Sequence, residues 1–214
     1  MKIFLGGGGD AAQSHDLDAL FFKTIKDLSL SYIPIAMEDS RFPGCEKWFS
    51  GICGRHGRTQ FKMVTDVGTT LDPSDAFYIG GGDTIYLAHT LENSPMLSTI
   101  LNSAVVYGGS AGAILLGKTL RTCPEGLELG ESRGLDLLKG HSVACHFGSE
   151  RFAIPESVLL ELSSEVGPIL VLSEDSGMTI DCDDKTVTAV GKGKSYRIDS
   201  KAITELKPGS TIQL

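Results

Sequence analysis

The chain has no C-x-x-C pair, no excess of basic residues, no long apolar run and no internal repeat. Each absence removes a class of protein. The five cysteines, Cys45, Cys53, Cys123, Cys145 and Cys182, are odd in number and irregular in spacing, which makes zinc-site and redox-motif readings poor. No histidine–carboxylate cluster calls for a metal either. The formal net charge is −8, so a nucleic-acid backbone, which needs a basic face, is not an expected partner. The apolar part of the opening MKIFLGGGGD is far too short for a secretory leader. No stretch approaches the roughly 20 residues that cross a bilayer. A cytoplasmic protein with reduced thiols and no membrane partner is expected, with Cys145 packing as a small hydrophobe beside His146. Charge blocks and low-complexity linkers are also missing, so one domain spanning residues 1–214 is the simplest organisation.

What is present reads as alternating strands and helices. KIFLG opens as a strand that breaks at Gly6. Leu17, Leu20, Phe21, Ile25 and Leu28 form a helical stripe. SYIPIAM is expected to be a buried strand that tolerates Pro34. A helix follows over Cys45 to Gly54. KMVTDV and AFYIGGGDT read as strands, TIYLAHTLENS as a helix, AVVYGGS as a strand and AGAILLG as the helix after it. HSVACHF is a later strand, and IPESVLLELSSE a helix with Pro155 in its first turn. The remainder is β-rich, with Asp183 and Asp184 suited to a hairpin turn. This alternation predicts an α/β fold with a doubly wound, mostly parallel, flavodoxin-like sheet, helices on both faces and a β-rich C-terminal edge.

Sites in such sheets form outside the carboxyl ends of the strands. Three features converge there: the glycines after AFYI, Ser110 after AVVY, and His146 near the end of HSVACHF. Gly108, Ser110 and Gly112 match G-x-S-x-G at a predicted strand-to-helix corner. There a nucleophile has a strained backbone, and a neighbouring β carbon would clash. The Ala111 N–H is then a candidate oxyanion donor. The competing reading is a tight glycine turn with a helix-capping serine. A serine hydroxyl needs a base. His146 is the best placed of five histidines, because His141 lies at the opposite end of the same strand and His15, His56 and His89 fall in loops or helices. The base in turn needs a carboxylate. Glu125, Glu128, Glu131, Asp136, Glu174 and Asp175 are all candidates, and distance along the chain does not choose among them.

Gly6 to Gly9 invite a nucleotide-binding reading, but the run lacks a Walker lysine. As G-x-G-x-x-G its last position falls on Ala11 or, in the looser form, Ala12, and no ribose-binding acid completes it. No cofactor is expected; the glycines are read as room beside an active site.

The segments GGSAGA, IGGGDT and CHF, in that order, resemble the peptidase E family of serine peptidases. Its relatives include cyanophycinase, and its fold is similar to class I glutamine amidotransferases. GLDLLKG ahead of the histidine strand resembles the family's approach to that strand. The resemblance implies Ser110 as nucleophile, His146 as base, and the Gly81 and Ala111 amides as oxyanion hole. Glu125, in RTCPEG, occupies the place of the family's loop acid and would give a Ser–Glu–His order. The later turn, EDSGMT, departs from the family's E-G pair; a shift of one residue makes Asp175 the alternative acid. Removal of an N-terminal aspartate from short peptides is also implied, with Arg121 or Arg151 pairing the substrate carboxylate. The expectation is therefore a serine peptidase acting on small peptides through an acyl-enzyme, with a homodimer left open. The rival is an inactive or ligand-sensing relative that keeps the elbow for folding alone.

Overall fold

The computed structural model describes residues 1–72, 76–150, 153–200 and 202–214. Its larger sheet has eight strands. In chain order these are β1 (Lys2–Gly6), β2 (Leu30–Ile33), β3 (Lys62–Met63), β4 (Ala76–Ile79), β5 (Val105–Gly109), β8 (Ser176–Asp181), β9 (Thr186–Gly191) and β12 (Thr211–Gln213). They lie side by side as β12-β9-β8-β1-β5-β4-β2-β3. Strands β1, β5, β4, β2 and β3 run parallel, whereas β8, β9 and β12 are antiparallel additions. A second sheet, in the order β11-β10-β7-β6, holds β6 (Ser142–Ala144), β7 (Ile169–Leu172), β10 (Ser195–Asp199) and β11 (Ala202–Leu206).

The central strands are apolar on both faces because both are covered. Ile3, Leu5, Phe77, Ile79 and Val106 point into one core, under the helices α3 (Thr84–Glu92), α4 (Pro95–Leu101) and α5 (Ala111–Leu116). Phe4, Tyr32, Tyr78 and Tyr107 point to the other face, under α1 (His15–Thr24) and α2 (Phe42–Arg55). The last helix, α6 (Glu156–Val166), buries Leu159, Leu162 and Val166 against the second sheet. Among the described residues no helix is long and apolar enough to cross a membrane.

Several boundaries differ from the sequence expectation. Strand β2 stops at Ile33, since Pro34 cannot donate to the ladder and instead accepts from the Met37 amide in a turn. The segment read as a strand over KMVTDV pairs only at Lys62 and Met63. Helix α4 has no counterpart in the expected elements; Ser94 caps it by accepting from the Met96 amide, and Pro95 opens it. Pro155 precedes α6 as its cap rather than sitting inside its first turn. The most consequential difference is that His146 follows a strand of the smaller sheet, not of the main one.

Candidate active site

Ser110 stands between β5 and α5 with φ 49° and ψ −107°, a conformation that side-chain-bearing residues rarely adopt. Strain of this kind costs about 1–3 kcal/mol and persists only when the surroundings enforce it. Here they do. A β carbon on Gly108 would come within 2.6 Å of the Ala113 nitrogen, and one on Gly112 within 2.5 Å of the Ile79 oxygen. The two outer glycines of G-x-S-x-G thus let the corner close, as the motif requires.

The glycine run after β1 is the frame of the site. The Gly6 carbonyl accepts from the Ser110 amide at 3.0 Å, and the Gly7 carbonyl accepts from the His146 amide at 3.0 Å. The Gly7 amide donates to the Ser176 carbonyl at 3.1 Å. Two adjacent residues therefore hold the elbow, the histidine and the turn before β8 at once. Gly8, at φ +99°, lies flat against the imidazole; a β carbon there would sit 2.5 Å from His146 Nε2. Side chains on Gly7 or Gly9 would collide with the carbonyls of Ser173 and Glu174.

This frame aligns three side chains. Ser110 Oγ lies 2.7 Å from His146 Nε2, and His146 Nδ1 lies 3.0 Å from Glu174 Oε1. The imidazole is 19% exposed and the carboxylate 34%, so the line of contacts is open to solvent at its acidic end only in part. His146 itself has a positive φ of 58°. Its delivery follows from pairing in the second sheet. There β6 and β7 run parallel with Ala144 opposite Val171, and the Phe147 amide donates to the Leu172 carbonyl. The residues just past both strand ends, His146 and Glu174, consequently emerge side by side.

The acid expected from the sequence was Glu125, and the geometry corrects this. Glu125 is exposed on a 3-10 turn (Pro124–Gly126). Its carboxylate faces the Cys123 thiol, which burial, and secondarily that charge, pushes up to about 11. Asp175, the alternative, is also displaced. Its carboxylate accepts from Ser173 Oγ at 2.9 Å, and its carbonyl accepts from the Lys192 and Gly193 amides. It braces the turn from which Glu174 projects. The signal for Glu174 was present in EDSGMT, but without the β6–β7 pairing nothing ranked it above its neighbours.

Gly81 lies against the elbow, where a β carbon would approach Ser110 Cβ to 3.2 Å. Among the described residues neither its amide nor that of Ala111 donates to a backbone carbonyl. Cys145 is buried, its Sγ 3.7 Å from both the Gly6 and Ser110 carbonyls, and burial pushes its thiol far above the usual range. It packs beneath Ser110. His141 is buried at the far end of β6, with Nδ1 on the Leu138 carbonyl.

Two arginines were expected to pair the substrate carboxylate. Arg121 binds Glu165 of α6 at 2.6 Å and does not line the cavity beside Ser110; Arg151 lies outside the described residues. That cavity, about 520 Å³, runs from Gly8 and Glu174 past Ser110 and Gly81 to the wall made by α2.

The model of peptidase family S51 matches residues 3–189. Among solved structures, a peptidase from an acI-B1 Actinobacterium is similar over 100% of this chain and 96% of its own, at 19% identity and a TM-score of 0.78. A putative peptidase E protein from Listeria monocytogenes EGD-e is similar over 90% of this chain and 98% of its own, at 19% identity and a TM-score of 0.62. No curated protein sequence matches. With a family match over nearly its whole length and a strained serine elbow at its centre, the chain belongs to peptidase family S51 and is a serine peptidase.

Proposed function

We propose that the chain hydrolyses short peptides through a Ser110–His146–Glu174 triad and an acyl-enzyme. The carrying observation is the unbroken line from Ser110 Oγ to Nε2 at 2.7 Å and from Nδ1 to Glu174 Oε1 at 3.0 Å. Glu174 accepts a hydrogen bond from Nδ1–H and so leaves Nε2 as the lone-pair nitrogen that faces the hydroxyl. As Oγ attacks the scissile carbonyl, Nε2 takes its proton. Charge developing on the carbonyl oxygen is met by the Gly81 and Ala111 amides. The imidazolium then protonates the leaving amine, the C–N bond breaks, and the acyl group stays on Ser110. Water, deprotonated by His146, attacks the ester and releases the acid, restoring the serine.

A ligand sensor would need the elbow for folding, but not an imidazole aligned on Oγ with a carboxylate behind it. Removal of N-terminal aspartate, implied by the family resemblance, has no support from Arg121, whose guanidinium is engaged by Glu165. The test is labelling with a fluorophosphonate, together with a dipeptide-library turnover screen. Wild type should label once, on Ser110, and turn over at least one dipeptide. Ser110→Ala should lose the label and about 10,000-fold or more in kcat/KM with an unchanged circular dichroism spectrum. An unlabelled wild type that leaves the whole library intact sinks the reading.

A further inference from the structure

Helix α2 presents one face to the cavity beside Ser110. Gly44, Cys45 and Trp48 of α2, with Arg41 at its N-cap, all line it, and their spacing of three, four and seven residues places them on one side of a helix. Trp48 is the chain's only tryptophan and is 39% exposed, unusual for so large an apolar ring. Its ring lies 6.3 Å from both Tyr32 and Tyr78, on the cavity's flank. Gly44 leaves a gap in the same wall: a β carbon there would meet nothing within 4 Å. The floor is a ladder of phenols from paired strands, since Tyr32 is opposite Tyr78 and Tyr78 opposite Tyr107. The charged side chains among the described lining residues are Arg41 and Glu174. Glu174 is bound to His146, and Arg41, at the N-cap of α2, is exposed. No described cation stands at the floor to receive a substrate carboxylate.

Position decides which part of a peptide this cavity takes. The order β1-β5-β4-β2 runs from Gly8, against which the His146 ring packs, past Ser110 and Gly81 to Tyr32 and the helix that follows β2. The leaving amine must lie at His146, which will protonate it. The acyl residue then extends the other way, toward α2. Resting on the hydrolase reading above, we propose that this cavity is the subsite for the acyl-side residue and selects an aromatic side chain, stacked on Trp48 and passing over Gly44. A volume of about 520 Å³ suits such a group. An aromatic ring would cover the exposed indole and leave no buried charge unpaired.

Trp48 supplies its own reporter. In Ser110→Ala protein, which binds without cleaving, phenylalanyl-leucine should shift the Trp48 emission saturably. It should bind about tenfold more tightly than alanyl-leucine or aspartyl-leucine. In the active enzyme, Gly44→Leu fills the gap and should lower kcat/KM for phenylalanyl-leucine about tenfold more than for alanyl-leucine. Gly44→Ala adds one methyl to open space and should change this selectivity in the same direction if the leucine variant does not fold. Tighter binding of aspartyl-leucine, equal binding of all three, or a selectivity indifferent to both Gly44 variants overturns the subsite. Because binding is read without turnover, it can fail while Ser110 still labels with fluorophosphonate, or hold while labelling fails; the two readings fall separately.

Discussion

Two turns of this protein carry an acid that could have oriented His146, and they differ in what ties them down. The turn at Pro124–Gly126 is stitched to its own neighbourhood: the Cys123 amide donates to the Leu120 carbonyl, and the Gly126 amide to that of Cys123. Its glutamate is exposed and faces the Cys123 thiol. The turn at residues 173–176 links β7 of the small sheet to β8 of the large one. It is braced on both sides, by the amides of Lys192 and Gly193 in the β9–β10 connection and by the Gly7 amide. A carboxylate on a bridge between sheets is held in place relative to both; one on a local loop is held only relative to the loop. Preorganisation of this kind is what a catalytic relay needs.

Four substitutions probe this contrast. The largest effect is expected from Glu174→Gln, which should cost about a thousand- to ten-thousand-fold in kcat through loss of the productive tautomer, measured on any dipeptide the wild type cleaves. Next comes Gly8→Ala, where the new methyl pushes the imidazole off the line to Ser110. About a hundredfold loss in kcat with a normal KM is expected, read by steady-state kinetics. Asp175→Ala removes the bond from Ser173 Oγ and loosens the bridge under Glu174. Calorimetry should show Tm lower by about 2–4 °C for the loss of one hydrogen bond, with kcat down about tenfold. Glu125→Gln should be nearly silent, within about twofold of wild type, as for an exposed residue without a catalytic partner. If Glu125→Gln were instead more damaging than Glu174→Gln, the contrast between the turns would be reversed.

Much of the site was legible because its signals are local. The glycines flanking Ser110 describe a corner whose tightness depends on residues two positions away. The strand before it and the helix after it are readable from the same dozen residues. His146 was reachable for a similar reason, as a histidine placed just beyond a short apolar strand. Gly6 to Gly9 read as room beside a site; in the structure they are the close-packed frame that touches His146 and the carbonyls of Ser173 and Glu174. Other features were not local. Neither Pro34 as a strand terminator nor the short helix Pro95–Leu101 follows from hydrophobic period alone, because capping and competing turn geometry set those ends. The wall formed by Arg41, Gly44, Cys45 and Trp48 has a helical spacing that was available in the sequence. Its meaning depends on which side of the helix faces the sheet.

By itself, then, the sequence determined the alternating elements, the corner that strains Ser110, and the family to which that corner belongs. Each is encoded by neighbours within a turn or a strand. Only the tertiary structure decided that His146 rises from a separate sheet, that the acid beside it is Glu174 rather than Glu125, and that Arg121 answers to Glu165. The physical reason is that β6 and β7 pair across some two dozen intervening residues, and no local pattern encodes which strand ends will meet.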